Sequence, residues 1–382
     1  MSKASGASRT AASSLPRPAV ISSDDEGGDS VPSNAWYAAA MGREVDRTPL
    51  SRTMGGRPVV LYRTEAGAPV ALADACWHRL VPLSLGSLRG DDLVCGYHGI
   101  AYDPRGRCTF MPSQETINPS ASVTSFPVVE RDRLIWVWLG DPALADPGTV
   151  PDLHWADDPR WAGDGELLAM ECDYRLILDN LMDLTHESFI HGSSIGNAAV
   201  AETPFTVSHT DDSVTVTRWM LGITPPPAWA EEMRLRFPDY DGPVDRWQVI
   251  RWQAPSTITI DVGVAKAGSG APDGNYDQGV RGYVLNTVTP ETDRTAHYFW
   301  FRMRNHALDD VVLTRAHRAA VHRIFGEDEV MLNAQQVAVD AHPGYDFYNL
   351  NIDAGSMWVR RMIGRLVEAE AELVGARSDG TS

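Results

Sequence analysis

Four side chains stand out for the chemistry they can do together. Cys76-Trp77-His78 is followed, 19 residues after Cys76, by Cys95-Gly96-Tyr97-His98, so each of two tight stretches offers one thiolate and one imidazole. Thiolates neutralise ferric iron, whereas neutral imidazoles leave its charge in place. Two of each can therefore hold a 2Fe-2S cluster asymmetrically, cysteines on one iron and histidines on the other, which raises the reduction potential and makes an electron relay. Zinc also accepts Cys and His. Zinc ribbons pair C-x2-C knuckles, however, and here the order is C-x-H and C-x2-H, which favours the cluster.

A second group runs from Asp179 and Asn180 through Asp183 and His186 to His191. A zinc-protease helix needs its histidines at i and i+4. A spacing of five puts these rings about 140° apart on a regular helix, so His191 must lie at or past the helix end, where Gly192 can stop it. Asp179, Asp183 and His186 fall within about 60° of one another, with Ile177, Leu181 and Leu184 opposite. Two imidazoles and a carboxylate on one face of an octahedron are the ligand set of mononuclear non-haem Fe(II) oxygenases, with positions open for dioxygen. The carboxylate must come from elsewhere. Glu327, Asp328 and Glu329 offer it late in the chain, and spacing alone leaves all three open.

Elements must position these groups. Around the first, short β-rich runs at 59–62, 70–73 and 134–139, broken by turn signals such as Asp103-Pro104-Arg105-Gly106, predict a small all-β domain. A Pro- and Asp-rich stretch over 141–159 reads as its boundary. Beyond it the pattern predicts a helix over 173–191, strands at 213–220, 246–253, 257–265, 282–289 and 296–303 in one antiparallel sheet, and helices over 309–336 and 356–373. A Gly-rich loop over 267–279 links two of these strands. The fold class is α+β. Residues 1–32, rich in Ser, Ala, Gly and Pro with an acidic patch, read as a disordered arm. The divisions that follow are 33–150, 151–375 and a flexible tail over 376–382.

A length of 382 residues allows two or three domains. Lys and Arg number 33 against 51 Asp and Glu, a net charge of −18, which argues against a nucleic-acid or membrane-surface binder working through a basic face. No run approaches the roughly 20 apolar residues of a spanning helix, and no apolar signal core opens the chain, so a cytoplasmic location is expected. Cys108 and Cys172 read as buried thiols. Between 71 and 140 six arginines meet seven acids, so an acidic redox partner can still dock near the cluster through local arginines.

Longer motifs narrow the reading. Pro82-Leu83-Ser84-Leu85-Gly86, Tyr97-His98-Gly99, Leu181-Met182-Asp183-Leu184-Thr185-His186-Glu187, Pro225-Pro226-Pro227, Thr289-Pro290-Glu291-Thr292 and Leu350-Asn351-Ile352-Asp353-Ala354-Gly355 recur in one protein family. From about 32 to 365 the chain resembles the oxygenase α subunit of Rieske non-haem iron oxygenases, in particular the vanillate O-demethylase oxygenase branch. The resemblance implies an N-terminal all-β Rieske domain and a C-terminal helix-grip catalytic domain with an antiparallel sheet. It implies cluster ligands Cys76, His78, Cys95 and His98, and Fe(II) ligands His186 and His191. It favours Asp328 as the third iron ligand, in a Glu-Asp pair before Gln335-Gln336, although Asn333 stands where the family has Glu. Asp183 would bridge an iron-ligand histidine and a cluster-ligand histidine of a neighbouring protomer in a homotrimer, and Asn180 would sit near iron and substrate. Dioxygen is the implied co-substrate, with electrons from NADH through a ferredoxin-type reductase. The expected reaction is O-demethylation of a vanillate-like methoxylated aromatic acid to the phenol and formaldehyde. Ring or methyl hydroxylation is the alternative within the family, and a Rieske electron carrier without catalysis the alternative outside it. For a substrate carboxylate, Arg218, Arg251 and Arg302 are candidate partners. Phe299, Phe301 and Trp252 are candidates for pocket walls or for plain core.

Overall fold

The computed structural model describes residues 31–379, so the arm expected over 1–32 falls almost wholly outside the described residues, as do 380–382. In the N-terminal part Trp36–Met41, buried along its whole length, pairs with Leu134–Trp138, which pairs with Val128–Arg131. A second sheet sets Arg57–Arg63 between Leu50–Met54 and Pro69–Ala73. Alternation along these strands sends Val60, Tyr62 and Leu72 to a core beneath the two cysteines, and Val59, Leu61 and Ala71 to another shared with Tyr37, Ile135 and Val137. A third sheet joins Ser87–Arg89, Asp92–Val94, Ala101–Tyr102 and Cys108–Phe110, and the second Cys/His loop bridges its middle strands. Between 139 and 161 the chain makes only the short 3₁₀ turns Pro142–Leu144, Pro147–Thr149 and His154–Ala156.

The second part is built on a seven-stranded antiparallel sheet. In spatial order the strands are Ala162–Met170, Ala296–Arg304, Gly279–Pro290, Thr257–Lys266, Val244–Gln253, Ser213–Ile223 and Phe205–His209. The five expected strands are there, and the two edge strands are additions. Ala162–Met170 hides its alternation behind Gly163 and Gly165. A Cβ at either would come within 2.0 Å of the carbonyl oxygen of Arg302 or Trp300, so the close approach of the neighbouring strand excludes side chains.

Among the described residues five helices complete the fold: α1 (Tyr174–Met182), α2 (Ala198–Glu202), α3 (Pro227–Arg236), α4 (Val311–Ala341) and α5 (Ala354–Asp379). The short α2 and α3 were not expected. The helix expected over 173–191 is broken. Asp183 is extended (φ −123°, ψ 103°), its carboxylate accepts the Thr185 N–H, and the chain resumes as the 3₁₀ turn Leu184–Ser188. A short acidic side chain competes here with the helix for backbone donors. The last helix runs to Asp379, across the first residues of the tail expected over 376–382, the rest of which lies outside the described residues.

Both faces of the sheet are covered. Tyr298 and Trp300 face a core shared with α1, α4 and α5, while Phe299, Phe301 and Met303 on the same strand meet Trp36, Trp136 and Trp138 of the N-terminal part. Phe299, Phe301 and Trp252 therefore belong to the packed cores, not to a pocket wall. Gln336 of α4 accepts the Asp173 N–H at 2.8 Å, which ties the start of α1 to α4.

Candidate metal centres and cavity

The two Cys/His loops are closed by their own backbones. Cys76 N–H bonds the Val81 carbonyl at 2.9 Å and Cys95 N–H the Ile100 carbonyl at 2.8 Å. They also press on each other: a Cβ on Gly86 would lie 2.1 Å from the Val94 carbonyl oxygen and one on Gly96 2.7 Å from that of Leu85. The Asp74 carboxylate, buried, holds Ser51 and Ser84 and so anchors the first loop. Both sulfurs are buried and side by side, with Tyr102 Oη 3.2 Å from Cys76 Sγ and the Tyr97 and His98 N–H groups turned to Cys95. Burial raises the Cys95 thiol above its ordinary pKa. His78 and His98 lie exposed, ring centroids 5.0 Å apart. Among the described residues the one group of three or more such side chains whose ligand atoms converge within 4.8 Å is a different one. Two adjacent thiols and two adjacent imidazoles that do not close on one point suit a two-iron cluster better than a zinc ion. Cys172 is fully buried, its pKa pushed up to about 12 by burial, while Cys108 is only half-buried.

The convergent group is His186, His191 and Asp328. Asp328 Oδ1 lies 3.2 Å from His191 Nε2 and 3.6 Å from His186 Nε2. The far nitrogens are engaged. His186 Nδ1 sits 2.5 Å from the Asp183 carbonyl oxygen, and His191 Nδ1 2.6 Å from Glu327 Oε2. Both partners only accept, so the proton belongs on each Nδ1 and each Nε2 lone pair points at the shared centre. Burial works against a charged His191, but Asp328 and Glu327 outweigh it and hold its pKa above the ordinary value. Of the three consecutive acids, Asp328 faces inward and is buried, Glu327 stands behind His191, and Glu329 lies toward Cys172. Asn180 donates from Nδ2 to Asp328 Oδ1 at 3.2 Å.

Some expectations fall elsewhere. Asp183 meets His186 through its main-chain oxygen, not its carboxylate. Asp179, which regular helix geometry groups with His186, is paired with Arg360 of α5. Asn333 accepts the Glu171 N–H, away from the metal trio.

A cavity of about 350 Å³ opens from the trio between α4, α3 and the sheet. Its walls are largely apolar, with Leu181, Leu184, Ile260, Val262, Val284 and Phe325. Of the three candidate arginines only Arg302 lines it. Arg251 is exposed, and Arg218 is buried beside Thr185 and Gln248 at a smaller void that includes Asp183. The Arg302 guanidinium lies against Gly282, where a Cβ would come within 1.5 Å of Nη1, and it bonds Glu232 and the Met303 carbonyl. Burial lowers the pKa of His306 to about 4 and of His317 to about 3, reinforced by Arg302 and Arg304. Burial raises Glu232 despite the arginines near it.

Sequence reasoning missed Arg246 and Glu187. Arg246 Nη2 donates to Glu187 Oε2 at 2.8 Å and Gln248 Nε2 to Glu187 Oε1 at 3.0 Å, all three side chains being buried. The signal was present: Arg246 and Gln248 fall in phase with the core residues Ile250 and Trp252 on one strand face.

Comparisons with known proteins bear on both centres. The family profile of the Rieske [2Fe-2S] domain matches residues 35–127, and that of the vanillate O-demethylase oxygenase C-terminal domain matches residues 170–369. A vanillate O-demethylase oxygenase subunit from Pseudomonas sp. strain HR199 is 41% identical over 345 residues, covering 90% of this chain and 97% of that one. The toluene-4-sulfonate monooxygenase iron-sulfur subunit of Comamonas testosteroni is 36% identical, covering 88% and 97%. The crystal structure of dicamba monooxygenase bound to 3,6-dichlorosalicylic acid is similar with a TM-score of 0.83 at 35% identity, covering 89% and 98%.

Proposed function

We propose, because the chain belongs to the vanillate O-demethylase family of Rieske oxygenase subunits, that it is the oxygenase component of an O-demethylating monooxygenase acting on a methoxylated aromatic acid. The observation that carries this reading is the convergence of His186, His191 and Asp328 at one end of a largely apolar cavity. His186, His191 and Asp328 would hold an Fe(II) ion, which would supply the activation of dioxygen, and Cys76, His78, Cys95 and His98 would hold a 2Fe-2S cluster, which would supply single electrons.

The chain's own residues prepare that chemistry. The Asp183 carbonyl and the Glu327 carboxylate fix the tautomer and aim of the two rings. Asn180 steadies the Asp328 carboxylate by donating to Oδ1, the oxygen that faces the two histidines. The apolar walls exclude water and leave room for a ring beside the trio. Hydroxylation of a methoxyl carbon gives a hemiacetal, which collapses to the phenol and formaldehyde.

We place the divisions at 33–150 and 151–375, and read the assembly as a homotrimer in which His78 or His98 of one protomer meets Asp183 of the next. The exposed rim of Trp77, Leu80, Leu85 and Tyr97 around the cluster histidines supports a surface that another chain covers. Electrons would come from NADH through a ferredoxin-type reductase, which fits a cytoplasmic enzyme. Among the described residues no helix is long and apolar enough to cross a membrane. The likeness to the toluene-4-sulfonate monooxygenase subunit keeps methyl hydroxylation as a second reading. A formaldehyde-release screen over vanillate, syringate, veratrate and anisate with a surrogate reductase separates the two. Formaldehyde from at least one supports demethylation, and oxygen uptake without it on all four rejects it.

A further inference from the structure

The cavity carries a second polar element that the metal trio does not use. Arg246 lies on the strand Val244–Gln253, lines the cavity and is 1% exposed. Its Nη2 is tied to Glu187, but Nε and Nη1, both buried, have no hydrogen-bond partner. A buried cationic donor left unpaired is strongly unfavourable, so its neighbourhood is built for a further acceptor. The other buried cavity arginine is different: Arg302 is satisfied by Glu232 and the Met303 carbonyl and lies over the Trp229 ring. Arg323 also lines the cavity but is exposed, where hydration weakens any pairing. Lysine offers no rival, since the one described lysine, Lys266, lies over Phe237 and Tyr240.

Arg246 is also held in place. Glu187 takes Arg246 on one carboxylate oxygen and Gln248 on the other, so the guanidinium cannot swing away to find a partner of its own. Glu187 follows His186 in the chain, so the ion pair links this part of the cavity to the turn that presents a metal ligand. The cavity is long enough to hold an aromatic acid beside the trio. His317 and Asp328, both lining it, are eleven residues apart on α4, about 16 Å along the helix axis.

We propose that Arg246 is the specificity-determining residue that receives the carboxylate of the aromatic acid, through Nη1 or Nε, while Glu187 holds the guanidinium and the ring lies against Ile260 and Val262. The inference rests on the aromatic-acid reading above and deepens it. Glu187 takes Arg246 through Nη2 alone, so the Nε and Nη1 donors stay available to the incoming carboxylate.

Calorimetric titration of the iron-loaded protein, without oxygen, with vanillate and with its neutral carboxamide tests this. The unaltered protein binds the acid ten- to a hundredfold more tightly than the amide. Arg246→Met abolishes that preference, and so does Arg246→Met with Glu187→Gln, in which no buried carboxylate is left unpaired should the single variant fold poorly. Arg302→Met retains it. The proposal is overturned if the unaltered protein binds acid and amide equally or binds neither, if the preference survives in the double variant, or if it disappears in Arg302→Met alone. Formaldehyde assayed on the same protein preparations, supplied with dioxygen and a surrogate reductase, keeps the two ideas apart: its absence from every methoxylated compound rejects the demethylase, while the binding preference still decides the role of Arg246.

Discussion

Replacing Glu327 by Ala probes how the metal site is held together. The carboxylate accepts from His191 Nδ1 at 2.6 Å. Its loss removes the group that fixes the ring's tautomer and raises its basicity. Partners of this kind are worth about 10- to 100-fold in metal affinity, or about 1.4–2.7 kcal/mol. The Glu327 side chain is 45% exposed, so water can replace part of the interaction, and the expected loss is near the lower figure. Chelator competition on the purified protein measures it, with the visible spectrum of the iron-sulfur cluster as an internal control for folding. Asp328→Ala should lose the mononuclear iron altogether while keeping the cluster, and Glu329→Ala should leave both untouched. Unchanged iron affinity in Glu327→Ala, or iron loss in Glu329→Ala, would refute the division of roles among the three acids.

Three further outcomes follow from the same geometry. His306 and His317 have folded pKa values near 4 and 3, below the ordinary value near 6.5, so between those limits the unfolded chain binds more protons. Stability therefore falls as pH drops from about 7 to 5, by at most about 2 kcal/mol per histidine; urea midpoints at the two pH values measure it, and His306→Gln should remove its share of the difference and leave that of His317. Gly282→Ala places a Cβ on the Arg302 guanidinium and should lower stability by about 1–3 kcal/mol, read as a drop in melting temperature. Charge reversal at Arg105, exposed on the turn that follows Ala101–Tyr102, should slow reductase-driven turnover more than single turnover with a chemical reductant; equal slowing would count against docking there.

Much of this was legible in the residues themselves. The two Cys/His loops and the His186/His191 pair are local, and the five central strands carry long β-rich runs. What stayed hidden depends on contacts between distant segments. Asp328 could not be told from Glu327 and Glu329 by spacing, because the choice is made by which face of α4 meets α1, through Asn180. The break at Asp183 was masked by a pattern that suits a helix on both sides of it. Edge strand Ala162–Met170 was missed because its glycines answer to a neighbouring backbone rather than to a local alternation. Arg246 was overlooked among several strand arginines, because which of them reaches the cavity is decided by the packing of the sheet against distant helices.

The central claim is that one chain joins an electron relay to an oxygen-activating centre that removes a methyl group from an aromatic ether. The most direct measurement is formaldehyde released against dioxygen consumed, with vanillate and a surrogate reductase, on the unaltered chain and on Asp328→Ala. One formaldehyde per dioxygen from the first, and none from the second while its cluster still reduces, is the result expected. Oxygen consumption without formaldehyde in the unaltered chain, or undiminished formaldehyde from Asp328→Ala, would contradict it.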